Sequence, residues 1–169
     1  QVACGAYHNV ALLGSGKILT WGLNSYGQCG YSLSKSAISS PVNHSFSEAI
    51  VAVSANGNHS AAVTLRGHVY CWGSNTYGES GAGEGVEATW RISKVPLDAS
   101  SATRALTVSC GPYSTAVTTD SGEVYAWGFL CGYNMVTNQH TPRLLPRLSS
   151  DGRFVSRVAC GTSHIAFLV

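Results

Sequence analysis

Short apolar runs of five residues recur along this chain at near-constant spacing. They are Asn9-Val10-Ala11-Leu12-Leu13, Ser60-Ala61-Ala62-Val63-Thr64, Thr115-Ala116-Val117-Thr118-Thr119 and Ile165-Ala166-Phe167-Leu168-Val169. Runs of this length bounded by turn residues read as buried strands, and no stretch sustains the 3.6-residue period of an amphipathic helix. A glycine follows each of the first three, at 14 and 16, at 67 and at 122, supplying the positive φ that a tight hairpin needs. A second strand then runs to a Trp-Gly pair, over residues 17–22, 68–73 and 123–128. Val69-Tyr70-Cys71-Trp72 and Val124-Tyr125-Ala126-Trp127 are rich in strand formers. Proline-bearing stretches at Pro41-Val42, Pro96-Leu97 and Pro142 to Pro146 are expected as a third strand at a sheet edge, where proline is tolerated. A fourth strand, such as 49–53 or 105–108, leads into the next copy.

A phrase introduces each run: Val2-Ala3-Cys4-Gly5-Ala6-Tyr7-His8, Val53-Ser54-Ala55-Asn56-Gly57-Asn58-His59, Val108-Ser109-Cys110-Gly111-Pro112-Tyr113-Ser114 and Val158-Ala159-Cys160-Gly161-Thr162-Ser163-His164. The phrases start 51, 55 and 50 residues apart, and nine of 23 positions are identical between residues 8–30 and 59–81. Asn24-Ser25-Tyr26-Gly27 and Asn75-Thr76-Tyr77-Gly78 read as loops held by Asn and Gly. In the third copy only Phe129-Leu130 separates Gly128 from Cys131-Gly132, making that loop four residues shorter. Four short strands per period of about fifty residues predict an all-β fold built of propeller blades. The repeats are placed at 2–52, 53–107 and 108–157, with the start of a fourth at 158–169, in one domain. Three blades do not close a ring of four to eight, so the expected architecture is a β-propeller arc of about three four-stranded blades belonging to a larger propeller. The closing run, 165–169, is expected as a strand without its hairpin partner.

Charge and chemistry narrow the function classes. Only 11% of the 169 residues are charged and the net charge is +2, which gives no global case for nucleic-acid or membrane binding. No apolar run approaches the ~18 residues of a spanning helix. The chain lacks an initiator Met, so it is expected to start inside a larger polypeptide or after processing. Of six cysteines, Cys4, Cys110 and Cys160 share one phase with Ala55, while Cys29 and Cys131 each precede a glycine. Small slots of this kind imply reduced, structural thiols and an intracellular setting, nuclear, cytoplasmic or organellar. Cys4 to His8 and Cys160 to His164 have a spacing that suggests zinc, but the second copy lacks the Cys and the third has Ser114 for the His. No metal or cofactor is therefore expected, and His8, His59 and His164 are assigned to hydrogen bonds with backbone or a neighbouring blade. The carboxylates form no recurring pair with a His, and no serine sits in a nucleophile elbow. Gly81-Ala82-Gly83-Glu84-Gly85 lacks the Lys and helix of a phosphate loop, and reads as a flexible inter-strand loop.

The linked positions Val-x-Cys-Gly-x-x-His…Gly-x-Val-Tyr-x-Trp-Gly-x-Asn-x-x-Gly-x-x-Gly resemble the repeat of the regulator of chromosome condensation family. The second copy carries them most fully, through His59, Gly67, Val69, Tyr70, Trp72, Gly73, Asn75, Gly78 and Gly81. The resemblance covers essentially the whole chain and implies a propeller of about seven four-stranded blades. It also implies a range of roles: nucleotide exchange on a small nuclear GTPase with nucleosome binding, or service in ubiquitin ligases, ciliary scaffolds, a plant ultraviolet photoreceptor and mitochondrial proteins. The chain has no long insertion for the exchange factor's wedge. Three of its four Trp are the Trp-Gly residues Trp21, Trp72 and Trp127, which argues against the photoreceptor's clustered Trp.

Candidate partner-contact residues follow from what the repeat does not use. Arg143, Arg147, Arg153 and Arg157 form a basic cluster, and Glu79, Glu84 and Glu87 an acidic one. Trp90 and Arg91 sit outside the repeat phase, and Tyr26 and Tyr77 lie on the predicted loops. Arg, Trp and Tyr are favoured at protein interfaces. The leading expectation is a non-enzymatic protein-protein interaction scaffold. The alternatives are a guanine-nucleotide exchange factor for a small GTPase and a chromatin- or RNA-associated subunit of a large complex. The expected partner is a protein, a small GTPase or a large assembly, with the remaining blades of the same propeller.

Overall fold

The computed structural model describes residues 1–98, 103–130, 138–146 and 154–169. Within them the chain is all strand and turn. β1(Val2–Cys4), β2(His8–Leu12), β3(Ile18–Leu23) and β4(Ala37–His44) form one antiparallel sheet in sequence order. The second sheet comprises β5(Ile50–Asn56), β6(His59–Thr64), β7(Val69–Ser74) and β8(Ala88–Val95). The third has β9(Ala105–Cys110), β10(Ser114–Thr119), β11(Val124–Gly128) and β12(Gln139–Leu144). A two-stranded sheet, β13(Arg157–Cys160) with β14(Ile165–Leu168), completes the series.

β1 lies against β5, β5 against β9 and β9 against β13. First strands therefore line the inner edge of the arc, and β4, β8 and β12 its outer edge. The prolines obey this order: Pro41 and Pro142 sit in β4 and β12, beside register shifts in their pairing with β3 and β11. β8 stops at Val95, just before Pro96, because proline has no N–H to extend the ladder.

One expectation changes. The stretch 49–53 and the first part of the phrase form one strand, β5, which opens its own sheet instead of closing the previous one. The closing run pairs with the strand before it, Ile165 with Cys160 and Leu168 with Arg157, and among the described residues no following strand stands beside it in that sheet.

Core residues occupy the gaps between sheets. Val10 and Ile18 meet Ile50, Val53, Ala62 and Trp72 in the first gap. Ala61, Val63 and Cys71 meet Cys110, Val117 and Trp127 in the second, and Ala116 and Ala126 meet Val155 and Val158 in the third. β6 and β10, sandwiched on both faces, are buried at every residue, which explains their small, unalternating sequences. Trp72 and Trp127 are fully buried, so these two Trp-Gly tryptophans are architectural, while Trp21 is half-buried. Their glycine partners are obligatory: Gly73 has φ +103°, and a Cβ there would stand 2.4 Å from the Asn58 carbonyl oxygen.

Candidate functional site

Antiparallel order sends the β1–β2, β5–β6 and β9–β10 turns and the β3–β4 and β7–β8 loops to the same end of the strands. Repeated backbone bonds weld inner turn to outer loop: Leu23 N–H donates to Tyr7 O, Ser74 N–H to Asn58 O and Phe129 N–H to Tyr113 O. Each long loop is built around a buried asparagine. Asn24 Nδ2 donates to the carbonyls of Tyr31, Ser32 and Lys35, while its Oδ1 accepts from Cys29 N–H. Asn75 Nδ2 donates to Gly83 O at 3.0 Å and Val86 O at 2.7 Å, and Ser80 N–H and Oγ–H donate to Asn75 Oδ1. The glycine-rich segment after Gly81 is thus tied to the loop by Asn75, between two strands.

On this frame stand aromatic rings with no core to fill. Tyr7, Tyr26, Tyr77, Tyr113 and Phe129 are all exposed. The Tyr77 ring lies 4.8 Å from Tyr113, tilted by 55°, and 6.1 Å from Phe129, edge-on. Between Tyr26 and the pair Tyr77 and Tyr113 opens a cleft of about 510 Å³, walled by Tyr26, Gly57, Thr76, Tyr77, Glu79 and Tyr113. The loop of the first sheet also packs on the outer strand of the second, since a Cβ on Gly27 would meet Trp90 Cα at 2.6 Å. The fold therefore brings Tyr26, Trp90 and Arg91 to one rim, where the Arg91 guanidinium sits 5.4 Å from the centre of the Trp90 ring. Tyr77 joins Tyr26 across the cleft.

The arginines do not assemble in the same way. Arg143 is exposed on β12, the strand farthest from β9. Arg157 is exposed on β13, which packs against β9 and β10. The two stand on strands of different sheets, and Arg147 and Arg153 lie outside the described residues. The acidic cluster also loses a member. Glu84 and Glu87 are exposed, but Glu79 is 2% exposed, its Oε1 accepting from Ser74 Oγ at 2.5 Å and its Oε2 from Tyr77 N–H at 2.7 Å.

Below the face, two of the three phrase histidines, His8 and His59, bridge sheets, while His164 is exposed. Ser60 Oγ donates to Gln28 O, so His8 Nε2–H, 2.7 Å away, is the donor to Ser60 Oγ. Trp72 Nε1 donates to the same Gln28 carbonyl at 2.8 Å. One sheet along, His59 Nε2–H donates to Thr115 Oγ1 at 2.8 Å, which donates to Glu79 O at 2.7 Å. Burial drives the His8 imidazole down to about 4 and, with His8 beside it, the His59 imidazole to about 3. Both are neutral struts at physiological pH. Burial likewise pushes Cys29 and Cys160 up to about 11, Cys110 to about 12 and Cys71 well above the ordinary thiol range, so these sulfurs stay protonated and poorly nucleophilic. Among the described residues no three His, Cys, Asp or Glu gather to hold a metal, and no helix is long and apolar enough to cross a membrane.

Sequence reading missed Tyr113, Phe129 and Glu79 as partners of Tyr77. A signal existed: Tyr7 and Tyr113 occupy the turn position before the phrase His or Ser, where a large ring has nothing to pack beneath it.

Comparison with known proteins closes the argument for kinship. The Regulator of chromosome condensation (RCC1) repeat matches residues 15–63, 66–118 and 121–168. The human protein named probable E3 ubiquitin-protein ligase HERC3 is 34% identical over 175 residues, covering 99% of this chain and 16% of its own length. Among solved structures, human WBSCR16 superposes with a TM-score of 0.86 at 25% identity, over 99% of this chain and 44% of its own. Prp20p of Saccharomyces cerevisiae, described with its binding properties to Gsp1p and histones, gives 0.84 at 22% identity, over 95% and 41%. The chain thus spans about a sixth of this curated relative and under half of each solved propeller. With three four-stranded blades, a two-stranded start of a fourth and the repeat matched along nearly its whole length, the chain belongs to the RCC1 repeat family and forms part of a propeller of that type.

Proposed function

We propose that this segment is a non-catalytic protein-interaction module whose contact face is the end of the blades bearing the inner turns and outer loops. The observation that carries the reading is the row of exposed rings, Tyr26, Tyr77, Tyr113 and Phe129, on hydrogen-bonded loops. Rigid, amphipathic aromatics clustered around a cleft are what protein interfaces use as anchors. Trp90 and Arg91 extend the face at its outer rim, and Arg143 and Arg157 mark separate surfaces. The buried, protonated thiols and neutral histidines serve packing on this reading.

The test is quantitative affinity capture with the intact protein and with a Tyr77→Ala/Tyr113→Ala variant. A discrete set of partners should be lost while the fold, followed by circular dichroism, is kept. An unchanged set would refute this face. Nucleotide exchange is the second reading, favoured by the structural likeness to Prp20p, which is described as binding Gsp1p. Release of a labelled guanine nucleotide from small GTPases decides it: the scaffold reading expects no acceleration. A nucleic-acid role draws on the arginines alone, and the separation of Arg143 from Arg157 weakens it.

A further inference from the structure

Glu79 departs from its own repeat in a way the fold does not require. Its counterpart in the first blade is Gln28, equally buried, whose Oε1 accepts from Tyr26 N–H at 2.9 Å just as Glu79 Oε2 accepts from Tyr77 N–H at 2.7 Å. A neutral side chain therefore performs the structural task. Yet Glu79 places a carboxylate at 2% exposure in the wall of the cleft. Burying such a group is unfavourable without a cation. Among the described residues the one ion pair is His68 with Glu48, elsewhere in the molecule. Each Glu79 oxygen accepts one hydrogen bond, which leaves lone pairs unused. Glu79 is the one formally charged side chain among the lining residues, which also include the tilted ring pair of Tyr77 and Tyr113, and Tyr26. Aromatic faces around a buried carboxylate are the chemistry of cation recognition.

We propose that this cleft receives the lysine or arginine side chain of a basic peptide segment from a protein partner. The rings of Tyr77 and Tyr113 present their π faces to the cation, and the Glu79 carboxylate behind them balances its charge. The inference rests on the interaction-face reading above and specifies the partner chemistry at its centre. Because the carboxylate is covered, it selects for charge through a low-dielectric wall instead of forming a bidentate salt bridge. Both cations are therefore accepted, and a neutral side chain of the same length is not.

Saturation-transfer NMR with the intact protein tests this, using Nα-acetyl-arginine methylamide, Nα-acetyl-lysine methylamide and the neutral Nα-acetyl-norleucine methylamide as probes. Saturable transfer to the side-chain methylenes of either cationic probe is expected, with none to norleucine. Glu79→Gln keeps the loop hydrogen bond, as Gln28 does, and should weaken the cationic probes about five-fold. Tyr113→Leu, on an exposed position, should weaken them comparably while keeping apolar area. Equal binding of norleucine, or unchanged binding in both variants, would overturn the proposal. Partner capture separates the two levels. Loss of capture in Tyr77→Ala/Tyr113→Ala with full capture in Glu79→Gln would sink the cation site and leave the interaction face standing. Capture that survives removal of the tyrosines would sink both.

Discussion

At the scale of single residues, the phrase histidine is an inter-blade strut, and its titration makes the joints sensitive to acid. His8 donates to Ser60 and His59 to Thr115, each tying one sheet to the next. Folded, the two imidazoles titrate at about 4 and about 3; unfolded, near 6.5. Between those values the unfolded chain binds protons that the folded chain refuses, so stability is full above about 6.5 and falls as pH drops toward 4 and then 3. By pH 4.5 the loss is about 2–3 kcal/mol for each imidazole. Urea midpoints measured at pH 7.5 and 4.5 should show it, with a smaller drop in His8→Asn and His59→Asn variants. An acid drop of the same size in those variants would refute the assignment. The repeat phase alone foretold a structural role for these residues, because a residue that recurs at one phase serves the repeat. Their partners, Ser60 and Thr115, were not legible. They lie one residue after the phrase His or Ser in the next copy, and only the packing of neighbouring sheets shows which side chain meets which.

At the scale of elements, the long outer loops behave as folded pieces in their own right. Asn75 satisfies two carbonyls with its amide and accepts from Ser80 twice, all at 1% exposure. Asn75→Ala strands those groups, and buried unsatisfied groups cost about 1–3 kcal/mol each where water cannot reach them. A fall in melting temperature of about 5–10 °C is expected, with faster amide exchange confined to residues 76–87. An unchanged melt would show that the loop is held by other means. The loops were readable as loops from Asn and Gly, and the edge strands from Pro, because both signals are local. The sheet to which β5 belongs was not readable. Sheet membership depends on which of its two chain neighbours a strand pairs with, and β5 pairs with β6 across the Gly57 turn instead of with β4. The placement of the arginines was not readable for the same reason: Arg143 and Arg157 are close in sequence, but one stands on the outer strand of the third sheet and the other on the first strand of the fourth.

At the scale of the whole molecule, stability is a sum of joints between neighbouring sheets, as in other repeat architectures. The arc and its blade count were legible because self-similarity encodes them many times over, whereas the cleft was not, since Glu79 is a one-off departure from Gln28 and the cleft's walls come from turns and loops of different sheets. The same logic ranks the blades. The second and third sheets are covered on both faces, and β6 and β10 are buried throughout. The fourth has two strands, with Phe154, Leu168 and Val169 exposed. Local opening free energy follows buried apolar contact. In the 169-residue polypeptide, amide exchange should therefore be slowest in β6 and β10, intermediate in β2, and fastest in β13 and β14. A Trp72→Ala substitution empties the first gap at a cost of about 3–5 kcal/mol. It should accelerate exchange in β2, β3 and β6 before it affects β10, because the second gap is filled separately by Trp127. Uniform acceleration across all four sheets would instead mean that the arc opens as one cooperative unit, and that the joints are not the units of its stability.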